Sequence, residues 1–377
     1  MLSFQSCVEC QQRFDLDKII YGCECGGLIE VKHPVFPKEP PKADGSASGV
    51  WRFKEVILPI DDAEIVSHPE GNTRLYERDA LSAWAGVERV LFKHEGENPT
   101  GSFKDRGMTV AVTQAKRLGQ KTLACASTGN TSASLAAYGA QAGLKTLVFL
   151  PEGKVAPSKL SQAVAYGAEC RAIAGDFDLA MQEVVKAADK DGLYLVNSIN
   201  PFRLEGQKSI MWELFDQLQW QPPDWIVVPG GNLGNTSAFG KAILEAFEAK
   251  WIQKKPRIAV IQAQAANPFY QSFLNGFKTF AGVKAETKAS AINIGMPVNF
   301  TKAKRVISDL NGRVEQVNDE EIREAKRVID HSGIGCEPAS AASLAGLKKL
   351  VDQKFVKSHD TVVCILTGHV LKDPVMS

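Results

Sequence analysis

The chain predicts an α/β fold with mostly parallel sheets, and three observations carry that prediction. Short apolar runs alternate with stretches of helical period along most of its length. Polar turns follow several of these runs, where open α/β sheets bind their ligands. At 377 residues, 44% hydrophobic and 23% charged, the chain is long enough for two packed domains with a small third unit.

The runs Val90-Leu91-Phe92, Thr122-Leu123-Ala124-Cys125, Thr146-Leu147-Val148-Phe149-Leu150, Leu193-Tyr194-Leu195-Val196, Trp225-Ile226-Val227-Val228 and Ile258-Ala259-Val260-Ile261 read as buried strands. Val362-Val363-Cys364-Ile365 reads as one more. Helices are expected between most of them, over residues 109–118, 131–142, 159–166, 179–189 and 236–250.

Formal net charge is +1 and no basic block stands out, which removes the argument for a nucleic-acid or anionic-membrane partner and leaves small molecules. The opening Met1-Leu2-Ser3-Phe4-Gln5 does not read as a secretory signal. No apolar run approaches the ~18 residues a spanning helix needs, so a cytoplasmic location is expected. There, eight cysteines point to metal binding or burial rather than disulfides.

Four of them form two close pairs, Cys7-Val8-Glu9-Cys10 and Cys23-Glu24-Cys25. Two such knuckles enclose one tetrahedral Zn²⁺, and a segment this short buries too little surface to fold otherwise. The second pair is CxC rather than the commoner CxxC, so four reduced thiols are the competing reading. Four thiolate ligands leave no open position, so any zinc here is structural. Prolines 34, 37, 40 and 41 mark residues 31–48 as a linker.

The stretch Glu97-Asn98-Pro99-Thr100-Gly101-Ser102-Phe103-Lys104-Asp105-Arg106-Gly107 sets one lysine in a turn rich in glycine and hydroxyls. A lysine amine in such a setting forms a Schiff base with a carbonyl group, that of pyridoxal 5′-phosphate (PLP) among them, once its pKa is depressed. Its competitor is a solvated surface charge. Three turns support the first reading. Ser127-Thr128-Gly129-Asn130-Thr131-Ser132 offers hydroxyls and free amides at a helix start, an anion site. Gly230-Gly231-Asn232-Leu233-Gly234-Asn235 has the glycines to wrap a phosphate, without the P-loop ending or the GxGxxG order. Leu366-Thr367-Gly368-His369 presents a neutral hydroxyl.

Taken together these stretches resemble the β-family (fold type II) of PLP-dependent enzymes, and within it the threonine synthases. Asn197-Ser198-Ile199-Asn200-Pro201-Phe202-Arg203-Leu204-Glu205-Gly206-Gln207, Glu337-Pro338-Ala339-Ser340 and Thr367-Gly368-His369-Val370-Leu371-Lys372-Asp373-Pro374 extend the resemblance over nearly the whole chain. Val370 departs from it, standing where many relatives carry Gly. The resemblance implies two three-layer α/β domains of the tryptophan synthase β-like architecture, plus the cysteine ribbon. The boundaries expected are a zinc-ribbon-like segment over 1–35, a linker and the start of the large domain over 36–75, a smaller domain carrying the lysine over 76–199, and a larger one carrying the phosphate loop over 200–377.

The same resemblance implies that Lys104 anchors PLP and that Asn130 bonds its 3-hydroxyl oxygen. Gly230, Gly231, Asn232, Leu233, Gly234 and Asn235 would cradle its phosphate, with Thr367 facing the pyridine nitrogen. The expected reaction converts O-phospho-L-homoserine and water to L-threonine and phosphate, in an enzyme commonly dimeric. Arg203 and Asn197, with Ser127, Thr128 and Thr131, are the candidates for the substrate's two anionic groups, because guanidinium binds phosphate bidentately. A structural ion pair with Glu205 is the alternative for Arg203. Which donors serve phosphate and which carboxylate stays open. His369 takes no assigned role, and Cys336 and Cys364 read as small buried hydrophobes. The rival functions are cysteate synthase, a serine or threonine dehydratase, and a non-catalytic zinc-ribbon binding protein.

Overall fold

A computed structural model of the chain describes residues 2–42, 48–152, 157–175 and 177–373. It contains two compact units, one formed by residues 1–37, 41–71 and 104–209, the other by residues 38–40, 72–103 and 210–377.

The first unit opens with the cysteine ribbon: strands β1 (Phe4–Cys7), β2 (Arg13–Phe14) and β3 (Ile29–Lys32) pair antiparallel in the order β2-β1-β3. Among the described residues its hydrophobic cluster is Cys7, Cys23 and Ile29, flanked by Phe14 and Ile20. The chain then contributes β4 (Leu75–Glu77), α1 (Asp79–Ala85) and β5 (Arg89–His94) to the second unit. It returns to the first with α2 (Lys104–Arg117), β6 (Thr122–Ala126), α3 (Asn130–Ala142), β7 (Lys145–Pro151), α4 (Pro157–Ala165), β8 (Glu169–Ile173), α5 (Phe177–Asp191) and β9 (Tyr194–Leu195). Four parallel strands in the order β8-β7-β6-β9 form this unit's sheet. Ala124, Ala126, Leu147, Phe149, Ala180, Val184 and Leu195 lie in its core.

After α6 (Pro201–Gln217) come β10 (Trp225–Pro229), α7 (Gly234–Glu248), β11 (Arg257–Ala263), α8 (Pro268–Leu274), α9 (Phe300–Asp309), β12 (Arg313–Val317), α10 (Asp319–His331), α11 (Pro338–Asp352) and β13 (Thr361–Leu366). The second unit's sheet runs β12-β11-β10-β13-β5-β4, parallel except for the edge strand β4. Continuous burial along β10 explains its run of Trp, Ile and Val, since both faces of a parallel sheet are covered. Helix α11 is rich in Ala, Ser and Gly because it lies close: a Cβ on Gly346 would come 2.4 Å from Ile261 Cδ1. Asn318 and Glu321 close a capping box at the start of α10.

All the strands and helices expected from sequence appear, with shifted ends. The expected boundary between residues 76–199 and 200–377 does not. Strand β5 pairs with β13 from Arg89–Thr361 to His94–Leu366, and β4 folds back on β5, so ladder hydrogen bonds draw residues 75–94 into the sheet formed by the chain's second half. The linker also begins later than expected: Val31 is in β3, and His33 Nε2 lies 2.9 Å from Glu205 Oε2 in a buried pair that Lys208 joins at 2.6 Å. Part of that linker, residues 43–47, and Pro374 lie outside the described residues. Among the described residues no helix is long and apolar enough to cross a membrane.

Candidate active site

In the second unit β10, β13 and β5 are neighbours, so the turns after their carboxyl ends lie side by side along one sheet edge. The turn after β10 leads directly into an uncapped helix N-terminus. Gly230 N–H donates to Ile261 O at 2.7 Å and its carbonyl accepts from Gln262 Nε2 at 3.1 Å, pinning the loop to β11. A Cβ on Gly231 would lie 3.0 Å from Ala291 O, and Leu233 takes a left-handed φ of 60° before α7 starts at Gly234. No side chain caps that helix. The first-turn amides therefore point outward unpaired, as every helix N-terminus leaves them. Asn235 Oδ1 and Thr236 Oγ1 are buried there without a partner. The orphaned Thr236 hydroxyl, a donor, together with the amides of an uncapped N-terminus fits a phosphate group. Asn232 differs from the rest of the proposed cradle, since its carbonyl accepts from Asn299 N and its Oδ1 from Val298 N.

The lysine turn is laced to the turn after β13. Gly101, at φ 86°, accepts from His369 N at 2.9 Å; Ser102 bridges Gly368; Phe103 N–H donates to Thr367 O at 3.0 Å. Lys372 Nζ bonds Thr100 O. The peptide immediately before Lys104 is thus fixed by backbone bonds on the Thr367 turn. Sequence placed the lysine inside the turn; it is instead the first residue of α2. The two charges after it, which a surface reading would leave in water, are fully buried: Asp105 accepts from Ser134 Oγ at 2.6 Å and Arg106 Nη1 donates to Ser209 Oγ at 3.3 Å.

His369 Nδ1 accepts from Leu371 N, and burial together with the nearby His94 lowers its pKa, which fits a neutral ring in a structural place. Cys336 and Cys364 are fully buried and burial raises both thiols, as expected of inert residues.

In the first unit the turn after β6 leads into α3 without a side-chain cap. Ser127 Oγ accepts from Gly129 N and Ser132 Oγ donates to Gly129 O, which shapes the turn. The side-chain hydroxyls of Thr128 and Thr131, both half-buried, bond to no described residue. Asn197, just past β9, clips onto the same turn: its Oδ1 accepts from Ala126 N at 3.0 Å and its Nδ2 donates to Ala126 O at 2.9 Å. The polar segment beyond it divides at Asn200, with α6 beginning at Pro201. Arg203 on α6 is 2% exposed and donates through Nη1 to Val196 O, while its Nε has no partner. Burial lowers its pKa to about 10. Glu205 pairs with His33 and Lys208, so the expected alternative partner of Arg203 is engaged elsewhere.

In the ribbon, the sulfurs of Cys7, Cys10, Cys23 and Cys25 all lie within 4.8 Å of one another, with Cys7–Cys25 at 3.5 Å and Cys10–Cys23 at 3.6 Å. Zn–S bonds of about 2.3 Å at tetrahedral angles put sulfurs roughly 3.8 Å apart, so the set fits that ion. A Cβ on Gly27 would lie 2.5 Å from Cys7 Sγ, so only glycine lets the second knuckle approach.

Sequence reading assigned no role to Glu337 and Ser340. They lie against Thr367, and the available signal was the Glu337-Pro338 start of a helix, which reads as an ordinary cap.

Residues 66–368 match the family of pyridoxal-phosphate dependent enzymes, and the chain belongs to that family. Solved structures agree on the fold. Diaminopropionate ammonia lyase of Escherichia coli superposes with a TM-score of 0.73 at 15% identity, covering 93% of this chain and 97% of that one. The processed threonine deaminase isoform 2 of Solanum lycopersicum gives 0.71 at 20% identity, covering 89% and 94%. The fold is the expected fold type II architecture. Sequence relatives are more specific: the threonine synthase of Methanocaldococcus jannaschii is 48% identical over 98% of this chain and 93% of its own length. That of Methanosarcina acetivorans is 46% identical over 98% and 92%. That of Synechocystis sp. is 44% identical over 90% and 88%.

Proposed function

We infer that the chain is a threonine synthase, a PLP-dependent lyase that forms L-threonine and phosphate from O-phospho-L-homoserine and water. The observation that carries this reading is the near full-length identity to threonine synthases. A phosphate-fitting N-terminus on α7 supports it independently.

PLP, when bound, supplies an electron-withdrawing ring that stabilises negative charge at the substrate's Cα. Lys104 is the residue that would bond its aldehyde. Gly230, Gly231, Leu233, Gly234 and Asn235 would hold its phosphate, with Asn232 keeping the loop in shape. Asn130 would meet its 3-hydroxyl oxygen, and Thr367 its ring nitrogen. Released as a neutral amine, Lys104 takes the proton from Cα and then moves the Cβ proton as general base and acid. After phosphate has left Cγ, the proton taken from Cβ is returned to Cγ, water adds its hydroxyl at Cβ, and Cα regains a proton.

The substrate's anionic groups fall to the α3 N-terminus with Ser127, Thr128 and Thr131. Asn197 sets that turn, and Arg203 adds a buried positive charge that no described carboxylate neutralises. Cys7, Cys10, Cys23 and Cys25 hold a structural zinc ion. The protein acts in the cytoplasm as a homodimer, with no nucleic-acid or membrane partner.

Phosphate release and threonine formation from O-phosphohomoserine test the reading. Wild type should turn over, and Lys104→Ala should lose turnover while keeping its circular dichroism. Sulfite-dependent turnover of O-phosphoserine, or 2-oxobutyrate from threonine, as the main activity would replace it with a rival function.

A further inference from the structure

Helix α11 starts after an acid that does not cap it. Glu337 holds the N-cap position in extended conformation, where a carboxylate ordinarily accepts from first-turn amides, yet it makes no such bond. The side chain turns to the end of β13 instead. Glu337 Oε1 accepts from the Thr367 hydroxyl at 3.0 Å, and Glu337 N–H donates to Gly368 O at 3.0 Å. Gly368 makes room for it, because a Cβ there would lie 2.5 Å from the carboxylate carbon. Ser340, one turn along α11, accepts from Gly368 N at 3.0 Å and lies 3.0 Å from Thr367 Oγ1. All three side chains are buried.

Counting protons fixes the direction of these bonds. The Thr367 hydroxyl donates to Glu337 Oε1, so the Thr367 proton points to Glu337. Ser340 already accepts from Gly368 N, and its own proton goes to Thr367 Oγ1 rather than to Gly368 O, which is farther away at 3.5 Å. Thr367 is left with a lone pair and no proton to offer. A bare hydroxyl would serve a ring nitrogen as donor or acceptor; this one is held as an acceptor.

We propose that Glu337 is a positioning residue for the bound cofactor, locking the Thr367 hydroxyl so that its lone pair meets a protonated pyridine nitrogen, with Ser340 as the second prop. The proposal rests on the assignment of Thr367 to the ring nitrogen. It modifies the sequence expectation of a neutral partner, because a carboxylate stands one hydroxyl behind the ring.

The test uses holoenzyme reconstituted with PLP labelled with ¹⁵N in the ring. Wild type should show the resonance of a protonated nitrogen. Glu337→Gln, of equal size, lets the amide donate to Thr367 and frees the threonine proton, so the resonance should move toward the unprotonated position. Thr367→Val should weaken PLP retention about tenfold, the loss of one bond to a charged partner. Adding E337Q to T367V should then change retention and resonance no further. An unprotonated nitrogen in wild type, an unmoved resonance in E337Q, or additive losses in the double variant would each overturn the proposal. If E337Q fails to fold, Ser340→Ala must shift the resonance the same way by a smaller amount, and no shift there overturns it equally. Failure of the wild-type protein to bind PLP at all would instead sink the cofactor assignment, and so tells the two apart.

Discussion

Alanine at Gly230 strikes the phosphate loop where it has least room. The new Cβ would sit 2.6 Å from Val260 Cγ1 and 3.2 Å from Gln262 Cγ. Carbon atoms settle at about 3.5–4 Å, so close to 1 Å must be found. Val260 is fully buried on β11, which has a ladder on each side, so the strand cannot yield and the loop must move. Moving it strains the bonds from Gly230 N to Ile261 O and from Gln262 Nε2 to Gly230 O. Overpacking of this kind costs roughly 1–3 kcal/mol. At roughly 1 °C per kcal/mol for a chain of 377 residues, Tm of the cofactor-free protein should fall by about 1–4 °C. The outward amides of α7 shift by a comparable distance, which loosens charge-assisted bonds and should weaken PLP about tenfold or more. Thermal unfolding of the apoprotein and fluorescence titration with PLP measure the two effects. A G230A variant with unchanged Tm and unchanged PLP affinity would refute both the tight packing and the role of the loop.

Two further substitutions address the remaining site residues. Cys23→Ser should abolish stoichiometric zinc and unfold the ribbon, whose core is too small to stand without metal; the checks are elemental analysis of protein purified without chelator and exchange protection of residues 4–32, and a zinc-free wild type with a protected ribbon would contradict it. Arg203→Met replaces a buried cation with an apolar chain of similar length, so KM for O-phosphohomoserine should rise at least tenfold while PLP affinity holds; a large fall in Tm with KM unchanged would assign the residue to the fold alone.

The local chemistry of this chain was written in its sequence. Continuous runs such as Trp225-Ile226-Val227-Val228 admit little but a buried parallel strand, and glycines at 230 and 231 mark a turn that must hug its neighbours. The cysteine spacing brought four sulfurs within 4.8 Å. Such features depend on neighbours a few residues apart, where periodicity and turn chemistry decide.

What lay beyond reach depended on contacts between distant residues. Nothing near residues 75–94 says that they complete the sheet of the second half; that follows from the ladder between β5 and β13. Asp105 and Arg106 look like surface charges until Ser134 and Ser209 meet them in the interior. Glu337 looks like a helix cap until β13 brings Thr367 to 3.0 Å. Hydrophobic pattern and turn residues determined the elements and the chemical groups available, because they act locally. Strand order, the fate of buried charges and the direction of the Thr367 hydroxyl bond were decided only when the tertiary structure chose which distant groups share a low-dielectric interior, where each donor must find its acceptor.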